Sequence, residues 1–195
     1  LDLIVLATRN AGKARELTIL LHGLSERIES LAAHPDVTLP PETGATYLEN
    51  AIAKARAAHA ALGLPALGDD SGLEVDALAG APGLHSARFA GPDANDRANN
   101  ERLLRDLTGV PSERRTARFR CVLALVRGPG DVVVAEGVCE GSILEGPRGA
   151  KGFGYDPLFL PAGEAQTFAE LADERKNSIS HRARAAIALL SSLTA

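Results

Sequence analysis

The apolar run Leu3-Ile4-Val5-Leu6-Ala7 has no polar alternation and predicts a strand buried on both faces. It breaks at Thr8-Arg9-Asn10 and gives way to Leu17, Leu20, Leu21 and Leu24, a spacing that predicts a helix with one apolar stripe. The Pro-rich stretch from His34 to Gly44 predicts a loop or irregular edge strand. Thr46-Tyr47-Leu48-Glu49 has the form of a capping box and opens an Ala-rich helix that runs to about Leu62 and stops at Gly63 and Pro65. A short apolar strand over Pro65 to Gly68 follows, ending at Asp69-Asp70-Ser71-Gly72. Ala79 to Pro92 is dense in Gly and Pro, and Asp93 or Asn95 begins a helix that reaches Leu107. Ala117 to Arg127 and Val132 to Ile143 are β-rich and read as a hairpin through Gly128-Pro129-Gly130-Asp131. Gly146 to Pro161 reads as a glycine-rich loop with aromatics, and a closing helix follows Ser178. Strand–helix units flanking an antiparallel hairpin predict an α/β fold with a mixed central sheet and no separate linker.

Composition narrows the partners. The 195 residues suffice for a substantial core, with 45% hydrophobic and 24% charged residues as in ordinary globular domains. A net charge of −4 argues against a general nucleic-acid binder. No apolar run approaches the ~20 residues of a membrane span, and no signal-peptide pattern opens the chain. Cys121 and Cys139, the two cysteines, lie in strand-like stretches without ligand spacing, which points to a reducing cytoplasm. Only four of the 21 basic residues are lysines: Lys13, Lys54, Lys151 and Lys176. A lysine that survives such a bias toward arginine suits a compact point charge on a phosphate oxygen.

Four segments carry candidate chemistry. In Thr8-Arg9-Asn10-Ala11-Gly12-Lys13, a strand feeds a helix whose N-terminal N–H groups and dipole favour an anion. Arg9 and Lys13 sit where the dipole disfavours cations, and a bound anion would account for them. The loop lacks the Walker pattern, since Ala14 follows the lysine; an ordinary strand–helix turn is the alternative. Asp69-Asp70-Ser71-Gly72 sets two adjacent carboxylates at a strand end, either around Mg²⁺ or as a plain Asx turn, and Glu42 could complete a metal site. Gly152-Phe153-Gly154-Tyr155-Asp156-Pro157, with Phe159 close behind, either admits a flat heterocycle or plugs a core beneath a loop. In Lys176-Asn177-Ser178-Ile179-Ser180-His181-Arg182, a serine can cap the last helix. His181 and Arg182 then lie on its first turn, facing an electron-rich partner or solvent.

Taken in order, TRNAGK, ETG…ENA…KA, DDSGL, GFGYDP and KNSISHR resemble the inosine/xanthosine triphosphate pyrophosphatase family over about Leu3 to Leu190. The resemblance implies an elongated α/β fold with a long mixed central sheet flanked by helices. It implies one domain, residues 1–195, in two lobes with the active-site cleft between them, and a homodimer. It further implies Mg²⁺-dependent hydrolysis of ITP, dITP and XTP to the nucleoside monophosphate and pyrophosphate, cleansing a cytoplasmic nucleotide pool. Carried over by position, the phosphate loop falls on Thr8, Arg9, Asn10, Ala11, Gly12 and Lys13. Lys54 matches a phosphate-directed helix lysine. The catalytic, metal-associated aspartate is Asp70, followed by Ser71, with Glu42 or Asp69 as further metal ligands. The base-binding segment is Phe153, Gly154, Tyr155 and Asp156, and the later basic contacts are Lys176, His181 and Arg182. Arg9 stands where many relatives carry Gly, and a swung-out arginine would add a phosphate contact. The alternatives are a Maf-type nucleotide pyrophosphatase preferring pyrimidines, and a non-catalytic nucleotide sensor.

Overall fold

The computed structural model describes residues 1–194. The opening apolar run forms β1 (Leu3–Leu6), and its neighbours on either side are parallel: β2 (Arg27–Ser30) and β3 (Ala66–Val75). β4 (Thr116–Gly128) and β5 (Asp131–Ile143) are joined by Pro129-Gly130, with Gly130 at φ 79° supplying the left-handed residue of the turn. A short β6 (Phe159–Pro161) pairs antiparallel with β5, Ile143 opposite Phe159. The single sheet runs β2-β1-β3-β4-β5-β6. Parallel and antiparallel pairs together make it the mixed α/β sheet expected.

Five α-helices accompany it among the described residues: α1 (Ala11–Leu20), α2 (Tyr47–Leu62), α3 (Asp96–Asp106), α4 (Asp173–Ile179) and α5 (His181–Thr194). The capping box forms with its acid reaching one residue past the cap. Thr46 Oγ1 accepts the Glu49 N–H at 3.1 Å, and the Glu49 carboxylate reaches back to the Ala45 N–H at 2.8 Å. Gly63, at φ 67°, ends α2 in the left-handed conformation that favours glycine. Ala51, Ala55 and Ala58 are fully buried, and a Cβ on Gly68 would collide with the Ala51 carbonyl oxygen. Small residues on both sides therefore let α2 rest on β3 at backbone distance.

The chain divides into two compact units: Leu1–Asp70 with Cys121–Gly137 and His181–Ala195, and Ser71–Arg120 with Val138–Ser180. In the first unit β1 is buried on both faces. Ile4 and Leu6 join Leu17, Leu21, Leu67, Leu123 and Leu189, while Val5 and Ala7 join Leu31, Val37 and Ala58. The core of the second unit gathers Leu73, Leu103, Leu107, Tyr155 and three phenylalanines, with Phe119 edge-on to Phe159 at 4.7 Å between centroids.

Four features differ from the sequence expectation. Arg27–Ser30 forms a strand although its Arg-Ile-Glu-Ser pattern is weakly apolar; backbone pairing with β1 carries it. β3 continues through Asp69-Asp70-Ser71-Gly72 to Val75, where a turn or strand end was expected. Both aspartates find cationic partners, so neither side chain is left to fold the backbone into an Asx turn. Within the glycine-rich loop, Phe159–Pro161 adds β6. The closing helix is preceded by a short further helix, α4, separated from it at Ser180 with φ −66° and ψ 159°.

Candidate active site

In the first unit the strand–helix loop folds on itself. Thr8 Oγ1 accepts the Asn10 N–H at 3.1 Å, and Asn10, the N-cap of α1, accepts the Lys13 N–H on its side-chain oxygen at 3.0 Å. Ala11 and Gly12 form the first helical turn, which holds no acidic residue. Lys13 Nζ reaches Asp69. Arg9 turns elsewhere: its guanidinium donates to the carbonyls of Leu31, Pro35 and Val37 at 3.2, 3.0 and 2.7 Å. It braces the following loop and does not join the Lys13 cluster.

Asp69 and Asp70 are consecutive on β3, so their side chains leave opposite faces of the sheet and meet different surroundings. Asp69 is wholly buried. Its Oδ2 accepts from Arg182 Nε at 2.8 Å and lies 3.6 Å from the Cys121 sulfur. Arg182, on the first turn of α5, also binds Glu16 of α1. Burial pushes the Asp69 carboxyl up, but Lys13 and Arg182 outweigh it and hold the group well below the usual carboxylate range. Burial pulls Arg182 down, and Asp69 and Glu16 more than restore it. The Cys121 thiol is driven well up by burial and by the Asp69 charge.

Asp70 meets α2. Its Oδ1 accepts from Lys54 Nζ at 3.0 Å and its Oδ2 from Asn50 Nδ2 at 3.0 Å. Lys54 also donates to Glu42 at 2.7 Å. For Asp70, burial prevails over the attraction of Lys54 and the Asn50 hydrogen bond, and the carboxyl is raised. Lys54 is pulled down by burial but raised overall by Asp70 and Glu42. Thus two neighbouring carboxylates are driven in opposite directions, a mark of sites that handle charge.

The sequence reading missed Asn50, Glu16 and Cys121. Asn50 Oδ1 accepts the Gly44 N–H at 2.8 Å, which fixes the amide so that Nδ2 faces Asp70. An Asn four residues before Lys54, inside an Ala-rich helix, was the available signal. Nothing local marks Glu16 or Cys121, whose roles depend on the packing of α1 and β4.

Glu16, Glu42, Asp69 and Asp70 together face Lys13, Lys54 and Arg182, an excess of one negative charge. Among the described residues no group of three or more His, Cys, Asp or Glu is arranged to hold a metal ion alone. Glu42 and Asp70, which share Lys54, are a two-carboxylate donor set. That set suits Mg²⁺, which binds through one or two carboxylates and completes its shell with water and phosphate oxygens. Both oxygens of Asp69 already serve Lys13 and Arg182, so Asp69 fits a ligand role only if Lys13 leaves it.

In the second unit the Phe153–Asp156 segment is a clamped turn. Asp156 Oδ2 accepts the Phe153 N–H at 3.0 Å and Lys176 Nζ at 2.6 Å. Lys176 Nζ also lies 5.4 Å from the centre of the Phe153 ring. Tyr155 is buried and donates its hydroxyl to the Ser86 carbonyl at 2.7 Å; burial pushes its ionisation far up. Of the three aromatics in the stretch, Tyr155 and Phe159 belong to the core, and Phe153 is half-buried. Ser71 is half-buried in β3 where the second unit begins, and His181 is buried at the start of α5.

A model of the Ham1 family matches residues 4–192. The dITP/XTP pyrophosphatase of Geobacillus kaustophilus is 53% identical over 182 residues, covering 93% of this chain and 89% of that protein. The dITP/XTP pyrophosphatase of Desulforamulus reducens is 54% identical over 182 residues, covering 93% and 90%. Among solved structures, a HAM1 protein from Coxiella burnetii superposes with a TM-score of 0.87 at 42% identity, covering 100% of this chain and 99% of that one. A nucleoside-triphosphatase, or dITP/XTP pyrophosphatase, from Mycobacterium abscessus gives 0.76 at 46% identity, covering 98% and 99%. With a match over almost its whole length and relatives above half identity, the chain belongs to the Ham1 family.

Proposed function

We propose that this protein hydrolyses non-standard purine nucleoside triphosphates (ITP, dITP and XTP) to the nucleoside monophosphate and pyrophosphate. The family and the names of its relatives support the reaction class. The observation that carries the chemistry is the split of the aspartate pair: Asp69 is bound by Lys13 and Arg182 on one face of β3, while Asp70 meets Lys54 and Asn50 on the other.

The triphosphate is assigned to the N-terminus of α1, with Thr8, Asn10, Lys13 and Lys54 as its contacts. Phosphate oxygens would draw Lys13 from Asp69 and Lys54 from Glu42 and Asp70. The same carboxylates would then turn to Mg²⁺, with Asp70 and Glu42 as its ligands. Mg²⁺, when bound, neutralises charge that develops on the phosphate oxygens. Asp70 takes a proton from water as its oxygen bonds to the α-phosphorus, and the bond from that phosphorus to the bridging oxygen of pyrophosphate breaks. Asn50 holds Asp70 in orientation through its fixed amide. Arg9 is left out of the phosphate contacts, three of its N–H donors being spent on carbonyls that turn it toward the 31–37 loop.

The base is assigned to the Phe153–Asp156 turn and Lys176, with Phe153 as the stacking face. Donors at His181 or Arg182 would select a 6-oxo group over the 6-amino group of adenine. Arg182 spends donors on Asp69 and Glu16, which favours His181 for that role. No described helix is long and apolar enough to cross a membrane. Action on a cytoplasmic nucleotide pool, as a homodimer, completes the proposal.

Product analysis with ITP, XTP, dITP, GTP and ATP in Mg²⁺ tests it. Pyrophosphate should be released from ITP, XTP and dITP, and Asp70→Asn should abolish turnover. Orthophosphate as the product, equal rates on ATP and ITP, or binding without turnover would each defeat the assignment.

A further inference from the structure

Helix α3 runs beside the Phe153–Asp156 turn in the second unit. Its N-cap is Asn95, and Leu103 is fully buried, so the helix is fixed at its start and along its apolar face. Asp96 and Asn100 are four residues apart and share one face of it. They grip the same residue from both sides of its backbone. Asp96 Oδ2 accepts the Gly154 N–H at 2.6 Å, and Asn100 Nδ2 donates to the Gly154 carbonyl at 2.9 Å. The next residue on the helix that points inward, Asn99, holds the preceding loop in the same manner. It accepts the Ala90 N–H at 2.8 Å and donates to the Ala87 carbonyl at 3.1 Å.

Gly154 sits at φ 61° with open space where a Cβ would be. Its conformation, not crowding, calls for glycine, and such a residue has many other conformations to fall into. Nothing in its own side chain holds it. The grip of Asp96 and Asn100 supplies that constraint, between Phe153 on one side and the core residue Tyr155 on the other. The ring of Phe153 depends on the setting of this turn for its direction.

We propose that Asp96 and Asn100 are positioning residues for base recognition, holding the Gly154 backbone so that Phe153 presents its ring in one orientation. The inference rests on the assignment of the Phe153–Asp156 turn to the base. A hydrogen bond to an ionised carboxylate is of the stronger kind, so losing it should raise KM by about tenfold. The chemical step, which belongs to Asp70, should change little.

The test joins hydrogen–deuterium exchange at the Gly154 amide with steady-state kinetics on ITP and ATP. In Asp96→Ala the Gly154 amide should exchange faster, KM for ITP should rise about tenfold, and the preference for ITP over ATP should narrow, with kcat nearly unchanged. Asp96→Asn keeps an acceptor oxygen and should recover part of the loss. Asn100→Ala removes only the grip on the carbonyl and provides a milder second variant should Asp96→Ala fold poorly. Glu101→Ala, which breaks an exposed pair with Arg97 on the same helix and touches neither Gly154 nor its two anchors, should change nothing. Unchanged Gly154 exchange in both Asp96→Ala and Asn100→Ala would overturn the grip itself. Faster exchange with unaltered KM and unaltered preference would instead overturn the assignment of this turn to the base.

Discussion

Asp69 and Asp70 are chemically identical neighbours, yet one substitution should have opposite effects on them. The folded pKa of Asp69 lies below its ordinary value of about 4, so its contribution to stability is present above that pH and lost as pH falls below it. Removing its charge strands Lys13 and the buried Arg182, and breaking such a buried pair costs about 3–5 kcal/mol. The folded pKa of Asp70 lies above its ordinary value, because burial exceeds what Lys54 and Asn50 return. Its contribution is fully present below about pH 4 and lost as pH rises through the folded value. At pH 7 the ionised Asp70 therefore opposes folding relative to a neutral group of the same shape. Scanning calorimetry at pH 7 in chelator should show a lower Tm for Asp69→Asn and a higher Tm for Asp70→Asn, the latter inactive. The Asp70→Asn gain should close as pH approaches 4. A lower Tm for Asp70→Asn at pH 7 would mean that the loss of a partner for Lys54 dominates.

At the scale of elements, three helices bring these charges together, and two of them, α2 and α5, dock over a glycine. Gly68 admits α2, which carries Asn50 and Lys54. Gly137 on β5 admits α5, where a Cβ would collide with the His181 carbonyl oxygen and the Ala185 N–H. Both obstacles are backbone atoms of the first turn of α5, so that turn must retreat, taking Arg182 from Asp69 and Glu16. Gly137→Ala should therefore destabilise by about 1–3 kcal/mol and lower kcat. Gly23→Ala, with nothing within 4 Å, should be silent in thermal melts and assays alike. The same contrast explains what the sequence disclosed. The Thr46–Glu49 helix start and the Pro129-Gly130 hairpin are local chemistry and could be read directly. The strand through Asp69-Asp70 could not, since two adjacent acids look like a turn until Lys13, Lys54 and Arg182 arrive from three separate helices. Aromatic grouping was equally ambiguous: Phe153 is half-buried, while Tyr155 and Phe159 went to the core.

Across the whole molecule, the order of motifs was legible but the partition of the chain was not. The two units divide after Asp70, after Arg120, after Gly137 and after Ser180, none of which is a linker. Three of these points fall inside β3, β4 and β5, each of which contributes residues to both units of one sheet. Asp70, the assigned base, is thus the last residue of one unit and Ser71 the first of the other. A strand ladder forms and melts as a cooperative run, so continuous strands should make the two units unfold together. The two cysteines provide a test, because each reports on one unit: Cys121 on the first and Cys139 on the second, both buried and neither in a disulfide. Thiol labelling across a urea series, in Cys121→Ala and Cys139→Ala variants so that each sulfur is read alone, should give one midpoint once the small stability change of each substitution is corrected from its own circular-dichroism melt. Midpoints that remain apart after that correction would show the units unfolding separately, with the strands fraying at the division points.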